Sequence, residues 1–198
     1  MSAVLYIEGG GDNRRLGAEF RQGWKAFLTN AGLSGRMPKV VRGGTRQQTF
    51  NRFITALGDS KDSTVPLLLV DSEGPVTTGH TVWQHLRTRD RWHKPAAAGD
   101  DQAFLMVQVM ESWLLADRNA LQTYFGERFK ANVIRQWPQL EEVPGETVFD
   151  ALEKATAGCS KPYAKGKIAS ELLAKIDPRL VEDACPHARD LLNRLREF

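Results

Sequence analysis

Residues 66–73 have the sequence PLLLVDSE, and this stretch decides the fold class of the chain. The first five residues form an apolar run without alternation, which is typical of a strand that a sheet buries on both faces. The run ends at Asp71, and a glycine follows at position 74. In open parallel sheets, ligands bind beyond the carboxyl ends of the strands, so this acid is predicted to face a site.

Two more apolar runs precede this strand. Residues 3–7 (AVLYI) end at Glu8 and continue into three glycines at 9–11, and residues 39–42 (KVVR) end at a pair of glycines. Between the runs, apolar residues recur at spacings of three and four, which predicts two amphipathic helices. Their apolar stripes are Leu16, Phe20, Trp24, Phe27 and Leu28, then Phe50, Phe53, Ile54 and Leu57. This alternation of strand and helix predicts parallel strands joined by crossover helices.

The remainder of the chain adds one strand and several helices. Residues 104–109 (FLMVQV) predict a fourth strand, and a helix is predicted to begin at Glu111. The last third carries apolar helical stripes at 151–157, 167–176 and 186–196. The predicted fold class is therefore α/β, with a mainly parallel sheet of about four strands, flanking helices and a helical C-terminal third. We expect one domain over residues 1–198, in which 145–198 form a helical extension packed on the rest.

Composition excludes several classes of protein. With 41% hydrophobic and 26% charged residues in a chain of 198, the make-up is that of an ordinary globular protein. The net charge of +3 is too small to predict polyanion binding by itself. No apolar run approaches the roughly 20 residues that span a bilayer, and the first residues do not have the pattern of a secretory leader. Together with two widely separated cysteines, Cys159 and Cys185, these features predict a cytoplasmic protein without a membrane partner.

Acids at the ends of two predicted strands suggest a metal site. Glu8 follows the first strand, Asp71 follows the third, and Glu73 lies two residues further on. Carboxylate oxygens are ligands that Mg²⁺ takes from proteins, and the ion completes its coordination with water and substrate phosphate. The alternative is that each acid is a solvated loop residue or a helix cap. The glycines beside both strand ends favour a joint site.

Glu111 lies in the segment VQVMESWLLAD, where the strand pattern changes to a helical one. An acid among apolar residues costs free energy unless it is paired or bound to a metal, so Glu111 is predicted to complete the site. The alternative is an acid in the first turn of a helix, which the helix dipole favours. Asp12 also has two interpretations: we favour a cap of the first helix, and the other is a carboxylate that supports the site.

Basic residues near the same strand ends are candidates for contact with phosphate or nucleic acid. Arg42 and Arg46 lie on either side of the two glycines after the second strand, and arginine binds phosphate through two parallel hydrogen bonds. Lys161 and Lys165 lie in the segment KPYAKGK, together with Tyr163. Lysines beside an aromatic residue suit a nucleic-acid backbone, with Lys165 as the first choice. The alternative for both groups is a solvated loop.

These segments resemble the Toprim pattern. YIEGGGD at 6–12 and LLLVDSE at 67–73 place an acid after the first strand and an acidic pair after the third, as Toprim domains do. Over nearly its whole length, the chain is similar to an uncharacterised Toprim-like family of small bacterial proteins. Three further segments carry this likeness: RGGTRQQTF (42–50), FLMVQVMESWLLAD (104–117) and YAKGKIASELLAKIDP (163–178).

The resemblance implies Mg²⁺ or Mn²⁺ chemistry on phosphodiester bonds, with Glu8, Asp71, Glu73, Glu111 and Lys165 as candidate site residues. It also implies an AAA-type ATPase as a partner and a role in defence against phage, because such proteins are often encoded beside an ATPase of this type. One feature departs from the pattern. The usual acidic pair is D-x-D, whereas here the second acid is a glutamate, whose longer side chain changes the reach of that ligand.

The leading functional prediction is a Mg²⁺-dependent nuclease, or a related phosphodiester-processing enzyme, that acts on DNA or RNA. Glu8 is expected to act as general base or metal ligand, Asp71 and Glu73 to hold the metal, and Glu111 to support them. Lys165 is expected to stabilise charge on the phosphate. The rival prediction is a non-catalytic partner or sensor subunit of an AAA-type ATPase that binds protein or nucleic acid. A small-molecule phosphotransferase or nucleotide hydrolase ranks third, because no nucleotide-binding motif is present.

Overall fold

The computed structural model describes residues 2–9, 14–59 and 64–198, and of residues 14 and 15 only the backbone. The glycines at positions 10 and 11 lie outside the described residues, and so does Asp12 with its two interpretations. The structural statements that follow concern the described residues alone.

Four parallel strands form the central sheet. They are β1 (Ser2–Ile7), β2 (Lys39–Arg42), β3 (Thr64–Asp71) and β4 (Ala103–Met106), in the spatial order β2-β1-β3-β4. Ile7 pairs with both Arg42 and Leu69, and Asp71 pairs with Met106, so the carboxyl ends of all four strands lie at one edge. The predicted α/β class and parallel sheet are confirmed.

The fourth strand is shorter than the sequence predicted. It ends at Met106, whereas the apolar run continues to residue 109. Beyond Met106 the chain turns across the ends of β3: the Gln108 carbonyl accepts from the Glu73 amide at 2.8 Å, and the Met110 amide donates to the Asp71 carboxylate at 2.9 Å. The backbone after Met106 therefore binds the end of β3 and the Asp71 carboxylate rather than extending the sheet.

Helices connect and cover the strands. In the described part of the chain, three helices lie between or beside the strands and six follow β4. The first three are α1 (Arg14–Leu28), α2 (Arg46–Asp59) and α3 (Val82–Asp90). The others are α4 (Glu111–Ala116), α5 (Arg118–Phe125), α6 (Gly145–Thr156), α7 (Lys167–Leu173), α8 (Pro178–Ala184) and α9 (Pro186–Arg196). A π-helical turn, Thr29–Leu33, follows α1 directly.

The sheet separates two apolar cores. In β3, Leu67 and Leu69 belong to the larger core, while Leu68 and Val70 belong to the smaller one, as expected when successive side chains point to opposite faces. The larger core is built with α1 and with all the helices from α4 to α9, and the smaller core with α2 and α3. Both faces of β3 are therefore buried, which explains its apolar sequence.

The packing of α7 against α1 places one helix of the C-terminal third, and the loop before it, beside the strand ends. Gly23 in α1 lies so close to α7 that a Cβ atom there would be 2.5 Å from the Ser170 carbonyl oxygen. A side chain at position 23 would hold the two helices apart. The close approach brings the N-terminal end of α7, and Lys165 just before it, toward β1 and β3.

In the part of the chain that the structure describes, we find no helix whose length and apolar character would let it cross a membrane.

Candidate active site

A pocket of about 450 Å³ opens at the carboxyl ends of β1, β3 and β4. Residues of α1, of α7 and of the loop before α7 complete its lining. All five residues that the sequence predicted as catalytic line this pocket, together with one predicted phosphate contact. The charged residues of the lining are Glu8, Asp71, Glu73, Glu111, Arg42 and Lys165.

Glu8 and Asp71 lie close together because Glu8 follows β1, Asp71 ends β3, and these two strands are adjacent in the sheet. The Glu8 amide donates to the Leu69 carbonyl at 2.9 Å, which continues the β1–β3 ladder by one residue. The Glu8 carboxylate then accepts from the Asp71 amide at 3.3 Å. Acids that follow two adjacent parallel strands thus converge on one point beyond the sheet.

Three charged side chains of the pocket act on the Asp71 carboxyl group: Glu8, Glu111 and Lys165. Burial raises the pKa of this carboxyl group to about 8, and the negative charges of Glu8 and Glu111 add to this rise. The hydrogen bond from the Met110 amide and the charge of Lys165 act in the opposite direction. The negative charges of three carboxyl groups therefore act on one another, which disfavours the ionised form of Asp71. A cation placed among them would favour their ionised forms.

Glu111 is the first residue of α4 and is 5% exposed. Its carboxylate accepts a hydrogen bond from the Tyr163 hydroxyl at 2.7 Å. Burial, followed by the charge of Glu111, raises the pKa of Tyr163, so this hydroxyl stays protonated as a donor. The expectation that an acid in this apolar segment needs a partner is met by a tyrosine from the distant C-terminal third.

Tyr163 does not offer its ring to a nucleic-acid surface beside the lysines of this segment. It is 7% exposed and packs in the larger core. An exposed aromatic ring can stack on a base, whereas a buried one cannot. The sequence feature that could have indicated the role of Tyr163 is Glu111, because a carboxylate in an apolar setting requires a hydrogen-bond donor somewhere in the chain.

Arg46 holds Glu8 in place and is engaged almost entirely with protein groups. Its guanidinium donates to Glu8 at 3.0 Å and to both carboxylate oxygens of Asp90 at 2.8 and 2.7 Å, and also to the Asp71 carbonyl. It lies over the Trp92 ring with 5.1 Å between Cζ and the ring centroid. The side chain is 12% exposed. Contact of Arg46 with phosphate stays a prediction, while its contact with Glu8 is direct.

Asp90 is a residue of the site region that sequence reasoning missed. Burial alone would raise the pKa of Asp90, but its hydrogen bonds and charge pairing with Arg46, and then with Arg89, bring that pKa below the usual value. The available signal was its position at the end of α3, where an acid opposes the helix dipole and therefore needs another partner.

Glu73 lies at the rim of the pocket. Its carboxylate is paired with Arg89, and its side chain is 42% exposed. Its backbone has φ 51°, in the left-handed region that non-glycine residues rarely occupy. Glu73 therefore lines the same pocket as Glu8 and Asp71, but its carboxylate is directed to an arginine instead of to theirs.

The predicted basic residues divide into two groups. Lys165 and Arg42 line the pocket. The Lys165 ammonium lies 3.8 Å from the centroid of the Phe149 ring, and the Arg42 guanidinium carbon lies 5.9 Å from that of Phe20. Lys161 is exposed and is not among the residues that line the pocket.

The carboxylates do not form a complete cage for a metal. In the ranges 2–9, 14–59 and 64–198, no group of three or more His, Cys, Asp or Glu side chains is arranged so that it would hold a metal ion. Glu8 and Asp71 are the two acids in direct contact, and the charge of Glu111 reaches Asp71. A metal at this site would depend on few protein ligands and would need others from water or from a substrate.

These features define an α/β protein with a four-stranded parallel sheet and an acidic pocket at the carboxyl ends of its strands. The chain belongs to the family described as Domain of unknown function (DUF4276), whose model matches residues 7–196. Comparison with curated proteins and with solved structures gave no match.

Proposed function

We infer that the protein is a nuclease, or a closely related phosphodiester-hydrolysing enzyme, that depends on Mg²⁺ or Mn²⁺. The observation that carries this proposal is the crowding of Asp71 by Glu8 and Glu111 in a pocket that Lys165 and Arg42 also line. Carboxyl groups held so close together, with cationic side chains beside them, suit a site where a divalent cation and a phosphate meet.

The donor atoms fit a hard cation. The described lining of the pocket offers carboxylates and no histidine or cysteine, and oxygen ligands select Mg²⁺ or Mn²⁺ over softer metals. Mg²⁺ is commonly bound through one or two carboxylates, with water and substrate phosphate as the remaining ligands. Glu8 and Asp71 would hold the ion, and Glu111 would lie beside them. The incomplete cage is compatible with an ion that takes some of its ligands from the substrate.

The bound ion would supply charge neutralisation at phosphorus and a more acidic water molecule. The side chains of the pocket provide the rest. Lys165 and Arg42 would bind the phosphate and offset its charge, while Arg46 fixes the Glu8 carboxylate and Tyr163 fixes that of Glu111. In the hydrolysis, the oxygen of water bonds to phosphorus and one phosphorus–oxygen ester bond breaks. Glu8 is the candidate to take the proton of that water, and the departing oxygen takes up a proton from solvent.

The first test is cleavage of plasmid, single-stranded DNA and RNA by purified protein with Mg²⁺ or Mn²⁺. Asp71→Asn keeps the acceptor for the Met110 amide but removes the charge, so we expect the fold to survive and cleavage to fall by about 100-fold or more. The matched control is Asp150→Asn, at an exposed ion pair with Lys154 on α6, which should cut like wild type. Failure to cut any substrate, or equal cutting by Asp71→Asn, contradicts the proposal.

A second candidate function is a non-catalytic subunit that binds an AAA-type ATPase through the same scaffold. The observation that favours it is Glu73, whose carboxylate is paired with Arg89 and thus not available to a metal in this arrangement. Calorimetry with Mg²⁺ separates the two candidates, because a catalytic site binds the ion and Glu8→Ala weakens that binding. Co-purification with an ATPase encoded beside the gene tests the partner, and a plaque assay with and without both genes tests the role in phage defence.

The relation to Toprim domains belongs to the same proposal. It is supported by the strand order β2-β1-β3-β4 and by acids that directly follow β1 and end β3. The glutamate at position 73 is the point at which this chain differs from the Toprim pattern, and its exposed position at the rim suggests a weaker role in metal binding.

A further inference from the structure

The pocket at the strand ends has two chemically different walls. One wall carries the carboxylates with Arg42 and Lys165, as described above. The other wall is apolar and adjoins the first, since the Met110 amide donates to Asp71. It comes from α1, from α7 and from β4 with the turn after it. Its side chains are Leu16, Phe20, Trp24, Met106, Met110 and Leu173.

We propose that this apolar wall receives the base of one unpaired nucleotide, while the phosphate of that nucleotide lies at the carboxylate wall. The substrate class is therefore single-stranded nucleic acid, or an unpaired segment within a duplex. This inference rests on the proposed function, because it takes the charged wall as the place where the phosphodiester bond is held.

The size of the pocket supports one nucleotide. A volume of about 450 Å³ lies at the lower end of the range of about 300–1,000 Å³ that is usual for sites that enclose a small molecule. Of the apolar lining residues, Leu16, Phe20 and Met110 are partly exposed, whereas Trp24, Met106 and Leu173 are buried. A base that contacts the partly exposed side chains within this pocket must leave its stack. Unstacking and unpairing oppose this in a duplex and do so much less in a single strand.

Phe20 gives the apolar wall a flat surface where this wall meets the charged one. The Phe20 ring is half-buried, and the guanidinium carbon of Arg42, on the charged wall, lies 5.9 Å from its centroid. Aromatic rings and guanidinium planes are the groups on which unpaired bases stack, and stacking tolerates any base because each one has a π-face. The wall offers few hydrogen-bonding groups that would distinguish one base from another, so we expect little sequence preference.

The contrast with the charged wall explains the orientation of the nucleotide. The carboxylates would repel a phosphate unless a cation lies between them, whereas the apolar wall gives a phosphate no partner at all. A base and a phosphate of the same nucleotide thus fit the apolar and the charged walls respectively, and the reverse placement fits neither wall.

The binding test uses fluorescence anisotropy with Asp71→Asn protein, so that the probe is not consumed. Short fluorescein-labelled DNA and RNA single strands are compared with the DNA strand in a blunt duplex. We expect the single strands to bind at least about tenfold more tightly than the duplex, because a paired base must first leave its stack. The DNA and RNA arms show which backbone the site prefers. Equal affinity for the duplex would overturn the inference.

Variants at Phe20 connect this preference to the apolar wall. In the Asp71→Asn background, Phe20→Leu keeps the position apolar but removes the ring, and we expect single-strand binding to weaken by about fivefold or more. The matched control is Ile54→Ala, at an exposed apolar residue of α2 outside the pocket, which should leave binding unchanged. Single-strand binding that Phe20→Leu does not weaken contradicts a role for the wall.

Cleavage by wild-type protein then separates the inference from the proposed function. If single strands bind through Phe20 but are not cut with Mg²⁺ or Mn²⁺, the proposed hydrolysis is wrong and the nucleotide pocket stands. If wild type cuts a perfect duplex as fast as a single strand, hydrolysis stands and the nucleotide pocket is wrong.

Discussion

Tyr163 and Glu111 connect two distant parts of the chain through one buried hydrogen bond of 2.7 Å. A carboxylate that is 5% exposed has little access to water, so its stability in the fold depends on donors from the protein. Tyr163 is such a donor, and it comes from the segment before α7. At the scale of single residues, this pair shows how an acid of the pocket is kept in place.

Replacing Tyr163 with phenylalanine tests this dependence. We expect Tyr163→Phe to lower the free energy of unfolding by about 1–3 kcal/mol, because the buried carboxylate loses its donor while the ring volume is kept. Urea denaturation measures the change. The matched control is Tyr124→Phe, whose hydroxyl partner Glu171 has a side chain that is 36% exposed and can be hydrated, so the loss should be smaller. Equal losses in the two variants would show that Glu111 does not depend on its tyrosine.

Gly23 sets the distance between α1 and α7, and this is a property of the two helices rather than of the pocket residues. A Cβ atom at Gly23 would be 2.5 Å from the Ser170 carbonyl. For one at Gly17, the nearest heavy atom among the described residues outside the backbone of α1 is Nη1 of Arg21, at 3.6 Å. Both positions lie in the same helix, so the two glycines differ in what they face and not in their secondary structure.

This difference predicts opposite effects of alanine in the two positions. Gly23→Ala should destabilise the protein by about 1–3 kcal/mol, because α7 must move away from α1. Gly17→Ala should stabilise it by up to about 1 kcal/mol, because alanine favours the helix and meets no close neighbour. Urea denaturation of both variants measures the two effects. Destabilisation of similar size in both would contradict the close approach of α7.

The strands were predictable from the sequence because each one is a short apolar run. Both faces are buried in β3 and β4, whereas β2 has no fully buried residue. The same runs gave the positions of Glu8 and Asp71, since an acid after a buried strand lies at the edge where ligands bind. The end of β4 was not predictable, because Met110 turns to donate to Asp71, a residue 39 positions away. The roles of Asp90 and Tyr163 could not be predicted for the same reason: they depend on contacts between residues that are far apart in the sequence.

Binding of Mg²⁺ should stabilise the whole molecule. An ion that binds the folded protein but not the unfolded chain adds about 2.7 kcal/mol when its concentration is 100 times the dissociation constant. For a protein of this size, that corresponds to a rise of about 5–10 °C in the melting temperature. Calorimetric melting of wild type and Asp71→Asn measures it. An equal shift in the two proteins would place the ion elsewhere.

The stability of the molecule should also depend on pH through His187 and Glu141. The His187 ring nitrogen lies 2.7 Å from the Glu141 carboxylate, and this hydrogen bond raises the pKa of His187; burial opposes the rise, and the charges of Glu141 and Asp190 add to it. A raised folded-state pKa means that the pair stabilises the fold fully below the unfolded pKa of about 6.5. The stabilisation is lost as pH rises through the folded-state value.

The variant His187→Gln isolates this contribution. We expect it to be less stable than wild type by up to about 1 kcal/mol near pH 5.5, and the gap should close toward pH 9. Urea denaturation across this range gives the difference at each pH. A gap that widens as pH rises would show that the charged imidazole does not stabilise the fold.

The pocket joins the beginning of the chain to its last third, and this has a consequence for biosynthesis. Glu8 and Asp71 leave the ribosome well before Tyr163 and Lys165, which follow them in the sequence. A nascent chain that has not reached residue 163 therefore carries the acids of the site without the hydroxyl that holds Glu111 and without the lysine that offsets their charge. Whatever chemistry the pocket performs, we expect it to be withheld until residues 163–165 have been made, so a product that ends before them should be inert.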